Sequence, residues 1–333
     1  MLKYNGEVDY ELDPNDYTKK KDGTLSDYNN PNYEGNVMIG IPTVWMKTFE
    51  DSNYKYCIVS SEKIDSSFKA YAHTNNKGYV VPYIYVSAYS GSLYDNRLRS
   101  ISTSEHILTN LKVNEQIQYA ENNNINDNKI WYIDVLCDRM LINSLLILMG
   151  KSLDIKSVFG NGNIVPGNDI LSYGTMNDKG LFYGTNTLTD GVKVFGIENY
   201  WGNEWYRTAG LINDHGTLKA KFTYSMNDES SCIGYNTTGE DYITLDGFTI
   251  SGENGGYMTD SKMTEYGLLP ITSDPDADIK YSSGIYYSND DVTYSSFGGC
   301  INAGDKCSAL CMSLLVDSEY TLYDVNTGLS CKP

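Results

Sequence analysis

Residues 194–211, VFGIENYWGNEWYRTAGL, constrain this chain more than any other segment. They set Tyr200, Trp201, Trp205 and Tyr206 around Glu198, Asn199, Gly202, Asn203 and Glu204, with Gly210 following. Large aromatics with polar groups fixed between them suit a buried junction of loop and strand. There the polar side chains satisfy backbone hydrogen bonds that no regular ladder supplies. The segment speaks to fold more than to activity.

The 333 residues suffice for one large all-β or α+β unit. No run of about 18 or more apolar residues occurs, so no membrane insertion is expected. The opening MLKYNGEVDYELD lacks the charged and apolar regions of a secretory leader, and assembly in the cytosol is the expectation. A net charge of −18 argues against nucleic acid as a partner, since phosphates need a basic footprint. Lys19-Lys20-Lys21 is read as a solvated turn. Seven cysteines, Cys57, Cys137, Cys232, Cys300, Cys307, Cys311 and Cys331, form no regular framework and fit reduced, mostly buried thiols. Thirty tyrosines against eight phenylalanines fit either half-buried β surface or a binding surface, and position has to decide.

Along the chain, residues 1–45 read as a loop-rich lead-in, with NGEVDYEL alternating like a strand. Residues 37–47 form an apolar run that Pro42 kinks or confines to an edge. Residues 54–60 and 78–90 read as further strands. Residues 103–122 carry a helical signal, with Glu105 as a capping partner, and residues 131–151 form the clearest helix, apolar round nearly its whole circumference. Beyond Gly160-Asn161-Gly162 only short strands and long loops are expected, which gives an α+β class with two helices and small antiparallel sheets.

The signature segment resembles that of C-type-lectin-like domains of the formylglycine-generating-enzyme type. Several blocks in order resemble one group of phage tail and minor structural proteins with this fold. They are the lead-in YELDPNDYTKKKDGTLSDYNNPNYEGNVMIGIPTVWMK, the run VPYIYVSAYSG, the helical IDVLCDRMLINSLLILMGKSLDIKSVFGNG and the closing SSFGGCINAGDKCSALCMSLLVDSEYTLYDVNTGLSCKP. The resemblance covers roughly 4–50, 78–211 and 284–333; residues 213–280 depart from it most. It implies a domain over 46–333 with a divergent insertion near 213–280, and a lead-in over 1–45 that could attach to the virion. It also implies a tail-tip, fibre or capsid-decorating protein, partnered by other virion proteins and a host-surface glycan or protein, and often a homotrimer.

Formylglycine-generating enzymes themselves use two cysteines near the C-terminus as copper ligands. Cys300 and Cys307 follow Gly298-Gly299, but their C-x6-C spacing is wider than that family's pair. Ser308-Ala309-Leu310 stand where that family has basic and aromatic residues. Only Lys306 is at hand to lower a thiol pKa. His73, His106 and His215 stand in unrelated contexts, and with 43 acidic residues chance pairs such as Glu240-Asp241 are expected. Asp274, Asp276 and Asp278 alternate as Ca²⁺ ligands can, yet lack the glycine and distal glutamate of an EF-hand loop, and read as a solvated acidic loop. No catalytic residue, metal or cofactor is therefore expected. Residues 251–266 and 281–294 concentrate Tyr, Ser, Gly and Asn as antibody loops do. Tyr281, Tyr286, Tyr287, Asp290 and Tyr294 are the candidate ligand contacts. A purely structural virion subunit and a copper-dependent oxidase stay open as alternatives.

Overall fold

A computed structural model of the chain describes residues 1–104, 108–221, 234–277 and 281–333. Met38–Pro42 (β1) stops at Pro42, which has no N–H to give a ladder, and lies at a sheet edge. The chain restarts as Trp45–Glu50 (β2) and returns through Lys55–Ser60 (β3), an unbroken hairpin from Trp45↔Ser60 to Glu50↔Lys55. Tyr83–Ser87 (β4) begins straight after Pro82. Val113–Glu121 (α1), Trp131–Ile133 (β5), Leu136–Gly150 (α2) and Ile155–Phe159 (α3) follow. The C-terminal half carries Trp205–Asp214 (β6), Thr217–Ala220 (β7), Ile243–Thr244 (β8), Ser251–Gly252 (β9), Gly256–Thr264 (β10) and Gly267–Asp274 (β11). Gly284–Tyr287 (β12), Val292–Gly298 (β13), Ser308–Leu314 (β14), Val325–Asn326 (β15) and Leu329–Cys331 (β16) complete it.

The class is α+β, with strands dominating. A four-stranded antiparallel sheet runs β5-β16-β4-β1. A ten-stranded sheet runs β8-β7-β6-β13-β14-β12-β10-β11-β9, with β15 beside β6. This corrects the expectation of small antiparallel sheets: β6 with β15, β12 with β14 and β9 with β11 pair in parallel. Helix α2 packs on β6 and β11, and Leu136, Met140, Leu141 and Leu146 join Trp201, Leu211, Leu268, Phe297 and Met312 in the main core. A second core lies under α1, where Val113 and Ala120 meet Trp131, Ile133, Ile212 and Leu329.

Two further expectations are corrected by long-range pairing. Residues 131–133 belong to β5 rather than to the helix, because they pair with β16 and Asn124 Oδ1 accepts the N–H groups of Ile130 and Trp131. Helix α1 starts only at Val113: Leu108 N–H donates to Gly91, Asn110 N–H donates to Leu322, and Asn110 sits at φ +57°. Glu105, its proposed cap, lies outside the described residues; Glu115 does that work, accepting the Lys112 N–H at 2.8 Å. In NGEVDYEL only the ends of the alternation pair, Val8 bridging to Leu2 and Leu12 pairing with Lys20. A third helix, α3, was not expected at all. The last turn of α2 emerges from the core, with Leu148 and Met149 exposed.

Residues 1–45 are tied into the rest. The ring of Tyr17 lies 3.8 Å beneath Lys193 Nζ and its hydroxyl donates to Gly196 O, while Met38–Pro42 is a strand of the four-stranded sheet. The described part of 213–280 supplies β7 to β11 of the ten-stranded sheet.

The C-terminal segment is fastened by a buried ion pair. Lys332 Nζ donates to Asp138 Oδ1 at 2.8 Å and Ser330 Oγ to Oδ2 at 2.6 Å, with both charged side chains at most 1% exposed. Removing one member strands the other charge in the interior, at a cost of about 3–5 kcal/mol. Asp138→Ala should therefore lose about that much stability in urea unfolding. An unchanged midpoint would show that Lys332 is not held by this pair.

Candidate ligand-binding face

The signature segment builds the support of the site. Glu198, Asn199, Tyr200, Trp201, Asn203 and Glu204 are all buried. Glu198 accepts the N–H groups of Gly174 and Met176 through separate oxygens, at 2.7 and 3.0 Å. Asn203 Oδ1 accepts from Leu171 N–H and Asn163 Nδ2. Glu204 accepts from Tyr173 OH at 2.8 Å and from Asn326 Nδ2 at 3.1 Å. Trp201 Nε1 donates to Gly160 O, and Tyr200 lies under the Arg139 guanidinium at 4.0 Å. Asn199 and Asn203 take left-handed φ values of +53° and +49°, a conformation their type tolerates. Gly202 and Gly210 need theirs: a Cβ at Gly210 would stand 2.7 Å from Lys221 O.

From this support the chain emerges at Trp205, whose N–H donates to Asp324 O at 2.8 Å. Its ring meets that of Tyr286 edge-on, with centroids 5.6 Å apart. Tyr286 lies over Gly255 and Gly284, where a Cβ at either would press on its ring. Beside it Tyr257 OH donates to Asp305 Oδ2 at 2.5 Å, and Lys306 Nζ donates to Gly255 O and covers the Tyr257 ring at 5.1 Å. At the other margin Asn302 Nδ2 donates to the hydroxyl of the exposed Tyr323 at 2.7 Å and to Asp324 Oδ2 at 3.1 Å. The result is a fixed aromatic patch with a carboxylate, an ammonium and an amide at its rim. Such a patch can stack on a ligand and hydrogen-bond it.

The five expected contacts do not converge. Tyr286 stands in the face, but Tyr287, next along β12, points to the other side of the sheet, packs on the main core and donates to Gly252 O. Tyr281 packs on the same core. Asp290 is exposed in the β12–β13 turn. Tyr294, 2% exposed, faces the second core from β13 and is withdrawn as a ligand contact. Residues 251–266 are mostly strand and half of 281–294 is strand, so neither is simply a loop. Asn302, Asp305 and Tyr323 carry no signal in the sequence; Tyr257 falls in the tyrosine-rich stretch 251–266 and Lys306 beside the cysteines, but the pairing of Tyr257 with Asp305 across 48 residues leaves no local trace.

Beneath the face lie Cys300, Cys307 and Cys311, all buried free thiols, with Cys307 Sγ donating to Cys300 O. Burial pushes each of the three pKa values up, Cys311 to about 12, the opposite of the shift that activates a thiolate nucleophile. Cys232 and Asp278 lie outside the described residues; Asp274 and Asp276 are exposed. Among the described residues no group of three or more His, Cys, Asp or Glu is placed to hold a metal, and no helix is long and apolar enough to cross a membrane. No protein-family model matches the chain, and no curated protein matches it.

Burial also raises Glu198 and Glu204 to about 7 from an ordinary 4.5, against the opposing hydrogen bonds, and Asp134 to about 6. The folded chain keeps protons on the two glutamates between about pH 4.5 and 7 that the unfolded chain has released. Stability therefore falls as pH rises through that window, with a ceiling of about 1.4 kcal/mol per unit for each group. Urea unfolding at pH 5 and pH 8 should show the protein more stable at pH 5, and Glu204→Gln should flatten the difference. A variant with the full wild-type slope would clear Glu204 of this role.

Proposed function

We propose that this chain is a bacteriophage virion protein, built on a C-type-lectin-like domain of the formylglycine-generating-enzyme type, that displays a binding face and carries out no chemistry. One observation carries the reading: the signature is sunk in the interior as support, and one of its aromatics, Trp205, emerges to form a face with Tyr286. Rigid aromatics with few torsions to immobilise make low-entropy contacts, which suits adhesion. The wide C-x6-C spacing of Cys300 and Cys307, and the Ser308-Ala309-Leu310 that follows them, disfavour the oxidase alternative. The partners of this reading are other virion proteins and a host-surface glycan or protein, with the chain assembled into the particle as a homotrimer. The N-terminal 45 residues or a domain face would make the attachment.

The test is saturable binding of the purified protein to intact susceptible cells, in competition with phage adsorption. Tyr286→Ala and Asp305→Ala should each weaken binding at least about tenfold, the scale of an interface hot spot. Tyr287→Ala, whose side chain packs inward, should lower stability and leave affinity within about twofold. Full binding by both face variants would move the contact elsewhere. No binding by the wild type would make the chain a structural subunit whose face meets its virion neighbours.

A further inference from the structure

A second surface stands apart from the Trp205 face. The tip of the β2–β3 hairpin leans over β10 and bounds a cleft of about 380 Å³, lined by Glu50, Asp51, Asn53, Tyr54, Lys55 and Asp260 among others. That volume falls at the lower end of the roughly 300–1,000 Å³ of small-molecule sites.

The tip is locked rather than loose. Asp51 Oδ1 accepts the N–H groups of Asn53 and Tyr54, each at 2.8 Å, and Oδ2 accepts the Tyr56 hydroxyl at 2.9 Å. Tyr56 stacks on Phe49 at 4.4 Å, and the Tyr54 ring meets Tyr56 edge-on at 6.1 Å. Two bonds then dock the hairpin on the sheet: Met263 N–H donates to Glu50 Oε2 at 2.9 Å, and Lys55 pairs with Asp260 at 3.3 Å. On the sheet side, the register of β10 against β11 shifts on both sides of Asp260, a bulge of the kind that re-aims a side chain. Yet Tyr54 on this fixed tip is left 67% exposed.

The chemistry of the lining selects the ligand. An exposed tyrosine on a hydrogen-bonded turn beside carboxylates and an amide matches a sugar ring, which offers a C–H face for stacking and adjacent hydroxyls for paired acceptors. Asp260 commits Oδ1 to Lys55 and to Ser261 N–H, and Glu50 commits Oε2, so each keeps a second oxygen for a hydroxyl. Charge decides the class of sugar. Lys55 is taken by Asp260, and Lys262 donates to Gly247 O and lies 4.7 Å over the Phe248 ring. An anionic sugar would meet Glu50, Asp51 and Asp260 with both lining ammonium groups already engaged. We propose that this cleft binds a neutral saccharide, Tyr54 stacking on the ring and Asp260 and Glu50 accepting from its hydroxyls. The proposal goes beyond the display reading above and concerns a site separate from the Trp205 face.

The experiment is binding of the full chain to an array of neutral and sialylated oligosaccharides, run beside binding to intact cells. Neutral glycans should be retained and sialylated ones should not. Tyr54→Ala should reduce glycan binding at least about tenfold, Asp260→Asn severalfold, and Tyr54→Phe less than threefold. Circular dichroism of Tyr54→Ala should match the wild type, since the side chain is mostly in solvent. Glycan binding indifferent to both Tyr54→Ala and Asp260→Asn would overturn the cleft. Preference for sialylated glycans would overturn the neutral class. Binding to cells with no glycan retained would overturn the saccharide assignment and leave the display reading standing. Glycan binding with no cell binding would support the cleft and overturn the display reading. Loss of both would overturn the two together.

Discussion

The buried carboxyl of Glu204 holds the structure to one arrangement. Tyr173 and Asn326 donate to its two oxygens, and Asn326 also donates to Gly91 O, so four segments far apart in sequence meet at one interior point. None of these partners is a cation, so the interaction is a hydrogen-bond network and not an ion pair. In a low-dielectric interior an unpaired donor or acceptor costs far more than it does in water, so alternative packings that break the network are heavily penalised. The next residue, Trp205, inherits its direction from this anchor: it opens β6, and its backbone is tied to Asp324, two residues from Asn326. The placement of the aromatic face thus follows from a buried acid that never meets solvent.

What was legible in the sequence follows from what is local. The signature could be read because its polar residues and its aromatics are dense and adjacent, and the structure sinks them together. The apolar run of α2 could be read for the same reason. Residues 131–133 could not, because the partner that makes them a strand, Leu329–Cys331, lies almost two hundred residues on. Residues 108–110 look fit for a helix until Gly91 and Leu322 claim their N–H groups. The Tyr-, Ser- and Gly-rich stretches 251–266 and 281–294 look like loops by composition. Much of each is strand because β-forming tendency is set by neighbours across the sheet, and those neighbours come from β11 and β14.

The tyrosines show the same division. Tyr89, Tyr132, Tyr173, Tyr200, Tyr206 and Tyr294 are buried, several with hydroxyls that anchor the network: Tyr89 to Asn177, Tyr173 to Glu204 and Tyr200 to Asn143. A phenylalanine at such a position would fill the space and leave Glu204 or Asn143 short of a donor. The excess of Tyr over Phe is thus in good part a consequence of a polar interior. Composition pointed to a binding surface only through the minority that reach solvent.

Of that minority Tyr83 stands on a strand, Tyr54 on the hairpin tip, and Tyr79, Tyr320 and Tyr323 in connections. Tyr257 and Asp260 lie three residues apart on β10, and the bulge at Asp260 turns its carboxylate toward the hairpin while Tyr257 meets Asp305. Side chains held by packed backbone lose little freedom on contact, so a modest area can still bind. The same geometry separates what can change from what cannot. A substitution at Tyr54 or at Tyr323, 47% exposed, alters the surface and leaves the interior untouched, whereas one at Glu204 or Asn326 disturbs the fold before it reaches the ligand. The display function proposed above would draw on that separation, with contacts free to follow a ligand while the scaffold stays fixed.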